Sequence, residues 1–127
     1  MRELLAVAVG GMIGASGRYA LTLGLQRASL ALAFPLGTLA VNALGCFLIG
    51  ALFTHFEARG AAGPSNAWRL LLVTGVLGGF TTFSAFGLDT WLLWRDAGPA
   101  RALLNVTLQL GVGIGAVLAG IAAARAA

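Results

Sequence analysis

Four apolar runs, residues 4–25, 36–56, 68–94 and 102–124, take up most of this chain. A helix needs about 20 apolar residues to cross a bilayer, and each run supplies that length. The connectors between them, residues 26–35, 57–67 and 95–101, are short and bring charge, Gly or Pro. They leave no room for a soluble domain, a nucleotide-binding loop or a long linker. Hydrophobic residues make up 59% of the chain and charged residues 9%, with a mean hydropathy of +0.93, so a water-exposed fold would lack polar residues to cover itself. The predicted architecture is an all-α membrane protein, one transmembrane domain of four helices over residues 1–127.

The first run follows "MRE", a charged start like that of a signal peptide. It is too long for one, and it carries Arg18 and Tyr19 near its far end, where a small-residue cleavage site belongs. It reads as a retained helix. Cys46 is the only cysteine, so no intrachain disulfide can form, and it reads as a small packing residue. His55 is also alone, near a helix end, with no second ligand, and no metal site is assigned to it.

The net charge of +4 comes from eight arginines, and their placement matters more than their sum. With four crossings, Arg2, Arg59, Arg69 and Arg125 fall on one side, and Arg18, Arg27, Arg95 and Arg101 on the other. Orientation in a membrane follows Lys/Arg asymmetry, and this count offers none. The chain is therefore expected to insert both ways, which permits antiparallel pairing of two copies. No basic, aromatic-interleaved patch of the nucleic-acid-binding kind is present.

Polar groups at membrane depth are costly and mark functional sites by default. Thr38 and Asn42 lie four residues apart on one face of the second run, and Asn105 and Gln109 repeat the spacing on the fourth. A single Asn could simply tie two helices together; two amide stripes on two helices read as a lined path. The acidic residues are Glu3, Glu57, Asp89 and Asp96, so the middles of the first, second and fourth runs carry no carboxylate. Amides and hydroxyls donate hydrogen bonds without repelling a negative ion, a lining that leans toward a small anion. Glycines four apart, Gly10 with Gly14, Gly75 with Gly79 and Gly111 with Gly115, favour close helix packing.

The stretch "GGFTTFSAFG", residues 78–87, sets loosened backbone, hydroxyls and rings in the middle of the third run. Gly78, Gly79, Thr81 and Thr82 weaken helix propensity there, and a break is expected. Freed carbonyls at such a break can coordinate a cation. Phe83 and Phe86 share a face of the resumed helix. They either fill the core or present electropositive ring edges to an anion.

These residues carry a resemblance. "GGFTTFSAF" resembles the GG-x-TTFSTF signature of the Fluc, or CrcB, fluoride channels, "GTLAVNALG" resembles that family's GTL-x-VN-x-x-G segment, and "GGMIGASGRYA" is similar to its first-helix pattern. The resemblance implies an antiparallel, dual-topology homodimer with two fluoride pores and a central sodium ion, passing fluoride passively out of a bacterial cytoplasm across the inner membrane, and not an enzyme. By motif position, Gly78 and Thr81 would offer backbone carbonyls to the sodium, Phe83, Phe86 and Asn42 would line the pores, and Arg18 would stand near a vestibule with Asp89. Thr38, Thr82, Ser84, Asn105 and Gln109 complete the expected polar lining.

The chain also departs from the pattern. Ala85 stands where threonine is usual, Asn105 where tyrosine is frequent, Gln109 where serine is common, and Asp89 replaces a glutamate. Two other classes remain at this level. A small multidrug-type, proton-coupled exporter is also a four-helix antiparallel dimer, but its exchange resembles a task for a first-helix glutamate, and only Glu3 is offered. A purely structural membrane subunit would need no aligned amides.

Overall fold

Residues 1–59 and 66–127 are described by a computed structural model, and across them every regular element is helical. Helix α1 (Arg2–Gly24) opens with Glu3 in its first turn, where a carboxylate meets the positive end of the helix dipole. A short helix α2 (Gln26–Leu32) follows, then α3 (Leu36–Arg59). The third crossing starts as α4 (Asn66–Arg69), widens into a π-helical segment (Leu70–Leu77), tightens again in α5 (Gly78–Phe80), breaks, and resumes as α6 (Phe83–Ala97). Helix α7 (Pro99–Ala126) closes the chain.

Four spans among the described residues, Arg2–Gly24, Leu36–Ala58, Ala67–Ala97 and Pro99–Ala126, have the length and apolar composition to cross a bilayer. The protein is a multi-pass membrane protein with a bent third helix. Its core is thin: Val41, Phe56, Leu77, Leu93 and Ala102 are buried, while Leu4, Met12, Leu103 and Leu118 point outward. Lipid tails are as apolar as these side chains, so outward leucines carry no penalty in a bilayer and association rests on close packing.

That packing runs in two pairs. Helix α3 lies along α7, and α1 lies along the third crossing. At the first contact Gly50 faces the Val117 carbonyl and Gly120 the Phe47 carbonyl; a side chain at either position would collide with backbone. At the second, Gly10 and Gly75 meet backbone to backbone, and Gly14 sits against the carbonyl of Val76. Two of the three expected glycine pairs, Gly10 with Gly14 and Gly75 with Gly79, thus mark a real crossing. The third marks none within one chain: a methyl at Gly111 or Gly115 would meet nothing within 4 Å there.

Two connectors differ from expectation. Residues 26–35 are largely helix α2, ended by Ala33 in the left-handed region (φ 46°), with the Phe34 N–H returning to the Ser29 carbonyl (3.1 Å). Arg101 Nη1 donates to the Ala33 carbonyl at 3.0 Å and to that of Leu32 at 3.4 Å, satisfying acceptors that a helix end leaves open. Residues 95–101 shrink to Gly98 alone, because Gly98 takes φ 89° and Pro99 is preset for a first helical turn. The middle of the 57–67 connector lies outside the described residues. At its two edges Arg69 lies over the Phe56 ring, 5.5 Å from the centroid.

Candidate functional site

The break falls at the threonines, not at the glycines before them. Gly78 and Gly79 remain helical, and Thr81 (φ −77°, ψ 161°) and Thr82 (φ −152°, ψ 116°) are extended. Extended backbone inside a membrane must find partners, and the polar groups of Thr81 and Thr82 draw theirs from their own helix, from the second helix and from the first. The Thr81 N–H and its hydroxyl both donate to the Leu77 carbonyl (2.9 and 3.0 Å). Thr82 Oγ1 accepts the Ala85 N–H at 3.1 Å, an N-cap for α6 built from the break residue itself. Its N–H, which an unbroken helix would give to the Gly78 carbonyl, goes to Asn42 Oδ1 at 2.9 Å. Asn42 Nδ2 returns a bond to the Thr82 carbonyl at 3.1 Å. The second helix therefore holds the break by a two-point clamp. Arg18 Nη1 approaches the Thr81 carbonyl at 3.4 Å, so the first-helix arginine stands at the break rather than at a helix end.

Beside the clamp lies a cavity of about 350 Å³. Asn42, Cys46, Leu77, Gly78, Thr81, Thr82, Phe83, Phe86 and Gln109 are on its wall, with no ionisable carboxylate or base among its lining. The Phe83 and Phe86 rings meet edge to face, centroids 5.4 Å apart at 65°. Phe83 is 81% exposed, which a residue serving only as filler within one chain would not be. Asn42 Nδ2 also donates to Gln109 Oε1 at 3.1 Å, joining the two amide stripes.

A protein that shares 43% identity with this chain over 97% of its length and 94% of its own is the fluoride-specific ion channel FluC of Cereibacter sphaeroides. The FluC of Rhizobium leguminosarum bv. trifolii is 45% identical over 99% of this chain and 98% of its own, and that of Oceanobacillus iheyensis 43% over 95% and 90%. The family described as CrcB-like protein, Camphor Resistance (CrcB), matches residues 5–121. The chain belongs to the CrcB family.

In this CrcB chain most of the expected residues fall in two places. Asn42, Thr82, Phe83, Phe86 and Gln109 share the cavity with Gly78 and Thr81. Arg18, Thr38 and Ser84 line a groove on the other side of the break, with Thr82 common to both, and Ser84 Oγ lies 3.3 Å from Thr82 Oγ1. The Thr38 hydroxyl donates to Asp89 at 2.6 Å, and Asp89 borders two further clefts shared with Ser29 and Pro35. Asn105 is fully buried and lines no described cavity; its Nδ2 donates to Thr90 Oγ1 at 2.9 Å.

Thr90 and Cys46 were not singled out for this site by sequence. The Thr90 hydroxyl donates to the Phe86 carbonyl at 2.8 Å while accepting from Asn105, which ties the ring-bearing turn to α7. A threonine four residues after Phe86 is the signal for such a back-bond. Cys46 follows Asn42 by four residues, and that spacing places it on the cavity wall.

Proposed function

We propose that this CrcB chain is a fluoride-selective channel that lets fluoride leave a bacterial cytoplasm passively across the inner membrane. The observation that carries the reading is the cavity at the break, where ring edges, amides and hydroxyls meet at membrane depth without a fixed charge. The names of its relatives point the same way. Moving a bare ion into an apolar medium costs on the order of tens of kcal/mol, so replacement ligands must meet fluoride as water leaves. Arg18, Thr38 and Ser84 would receive the ion in the outer groove with Asp89 beyond them, and Thr82, Asn42, Gln109, Phe83 and Phe86 would pass it through. Binding at each place has to be weak enough for release.

The same reading takes two antiparallel copies as the working unit. The even arginine count supports insertion both ways, and the exposure of Phe83 and Gly78 supports a second copy closing the open side of the cavity. A sodium ion between the copies fits the residues at the break. The diverted Thr82 N–H releases the Gly78 carbonyl, and the Thr81 carbonyl has a lone pair beyond the one Arg18 approaches. Neutral carbonyl oxygens are the donor set that a hard monovalent cation takes. Its charge would favour an anion nearby, while Gly78 and Thr81 do the holding.

Flux from liposomes containing the purified protein tests the function. Fluoride efflux that needs no proton gradient and excludes chloride is the expected result. Drug–proton exchange would mark an exporter, and no flux of either kind a structural subunit.

A further inference from the structure

We infer that Asn105 and Gln109 of α7 hold a single buried water molecule between them, at a site that favours water over a bare ion. The inference goes beyond the fluoride-channel reading and does not depend on it. Two relays of fixed polarity lead to the site. The backbone N–H of Thr82 can only donate, so the Asn42 atom 2.9 Å away is its oxygen, and the NH₂ of that amide faces Gln109 at 3.1 Å. The Gln109 atom that meets it must accept and is Oε1, which leaves Nε2 at the far end as a donor. The second relay starts from a carbonyl. The Phe86 carbonyl can only accept, so it takes the one hydrogen of the Thr90 hydroxyl at 2.8 Å. That hydroxyl must then accept from the Asn105 NH₂, 2.9 Å away, and Oδ1 is left at the far end as an acceptor.

Gln109 Nε2 and Asn105 Oδ1 are the buried side-chain polar atoms without a hydrogen-bonding partner among the described residues. Asn105 is fully buried and Gln109 only 8% exposed, so neither is relieved by bulk water. The two residues stand one turn apart on one face of α7 and end in opposite polarity, yet they do not bond each other. An orphaned buried group is costly, and one ligand relieves both only if it accepts at one end and donates at the other. An anion accepts from Nε2 but is repelled by Oδ1. A cation is held by Oδ1 but repelled by the NH₂. Water does both, and a water bonded on either side spans roughly the 5.4 Å between successive helical turns. Gln109 borders the cavity of about 350 Å³, from which water can enter, and keeps a second amide hydrogen for that wall. Both positions are ones at which the chain departs from the family pattern, so the site belongs to these two amides.

Two measurements on the full-length protein test this. In crystals grown without fluoride, a density peak within hydrogen-bond distance of both Gln109 Nε2 and Asn105 Oδ1 is expected, and with bromide in place of chloride that peak should carry no anomalous signal. This readout uses the unaltered protein, so it stands even if a variant assembles poorly. In mixed micelles, a double-mutant cycle on Asn105→Leu and Gln109→Leu reads the coupling from reversible unfolding. The bonds to Thr90 and to Asn42 cancel around the cycle, whereas a shared water lost with the first substitution cannot be lost again with the second. The effect of the double variant on the unfolding constant should therefore fall short of the product of the two single effects by about fivefold or more. Multiplicative effects, an empty gap, a direct bond between the two amides, or an anomalous peak at Gln109 would each overturn the assignment. None of these outcomes bears on whether the protein conducts fluoride, which the liposome flux decides separately.

Discussion

Replacing Asn42 with leucine is the sharpest test of how the break is held. The substitution keeps the side chain's size and removes three hydrogen bonds: the one accepted from the Thr82 N–H and the two donated to the Thr82 carbonyl and Gln109. Interhelical hydrogen bonds in membrane proteins average about 0.6 kcal/mol each, which sets a floor of ~2 kcal/mol. Two of the three belong to backbone that has no helical partner while Thr81 and Thr82 stay extended, and an orphaned peptide group away from water costs about 1–3 kcal/mol. Thr82 is half-buried, so water entering the cavity relieves part of that, and leucine gains little from contact with lipid tails. The expected loss is therefore roughly 2–4 kcal/mol, read from reversible unfolding in mixed micelles against the unaltered protein. Asn105→Leu removes one bond and no backbone partner, and serves as the control at about 1 kcal/mol. If Asn42→Leu costs no more than that control, the clamp does not hold the break and the account of the site built on it is wrong.

Phe83→Leu and Phe86→Leu should assemble normally and lose most fluoride flux; stable dimers conducting at the original rate would make the rings packing. Gly79→Ala pushes a methyl onto the Gly11 carbonyl and should destabilise the single chain, whereas a methyl at Gly78 meets nothing closer than 3.9 Å. Gly78→Ala should therefore fold, yet lose the stabilisation that sodium gives to thermal melting, while Thr81→Val, which alters a hydroxyl bonded to Leu77, should keep it. Two lysines added in the 57–67 loop should force one orientation and abolish flux unless an oppositely biased copy is supplied, as followed by accessibility labelling; a single orientation in the unaltered protein would refute the charge argument.

The four crossings were legible because run length and apolar composition are chain properties that tertiary context does not reverse. The break was legible too, within residues 78–82, although not to the residue. Glycine loosens a helix only when something outside competes for its bonds, and here the competitor is Asn42, forty residues away, acting on Thr82. The π-helical segment Leu70–Leu77 had no sequence signal in a run where only Thr74 is polar. At Gln26–Leu32 a helix fits because Arg101, remote in sequence, covers its end. The pairing of Asn42 with Gln109 follows from α3 lying along α7, which side-chain spacing within one helix does not reveal.

The order of synthesis gives the clamp a further meaning. Asn42 and Arg18, the long-range partners of the broken backbone, both lie N-terminal to it, so they are already in the bilayer when Thr81 and Thr82 enter. Extended peptide groups are thus met on arrival and need not wait in lipid for a later helix. Gln109 is made last and docks onto an Asn42 already engaged with Thr82. Insertion would proceed so that the weak point of the third helix is secured first, and the amide that completes the cavity wall is set in place only when the chain is nearly finished.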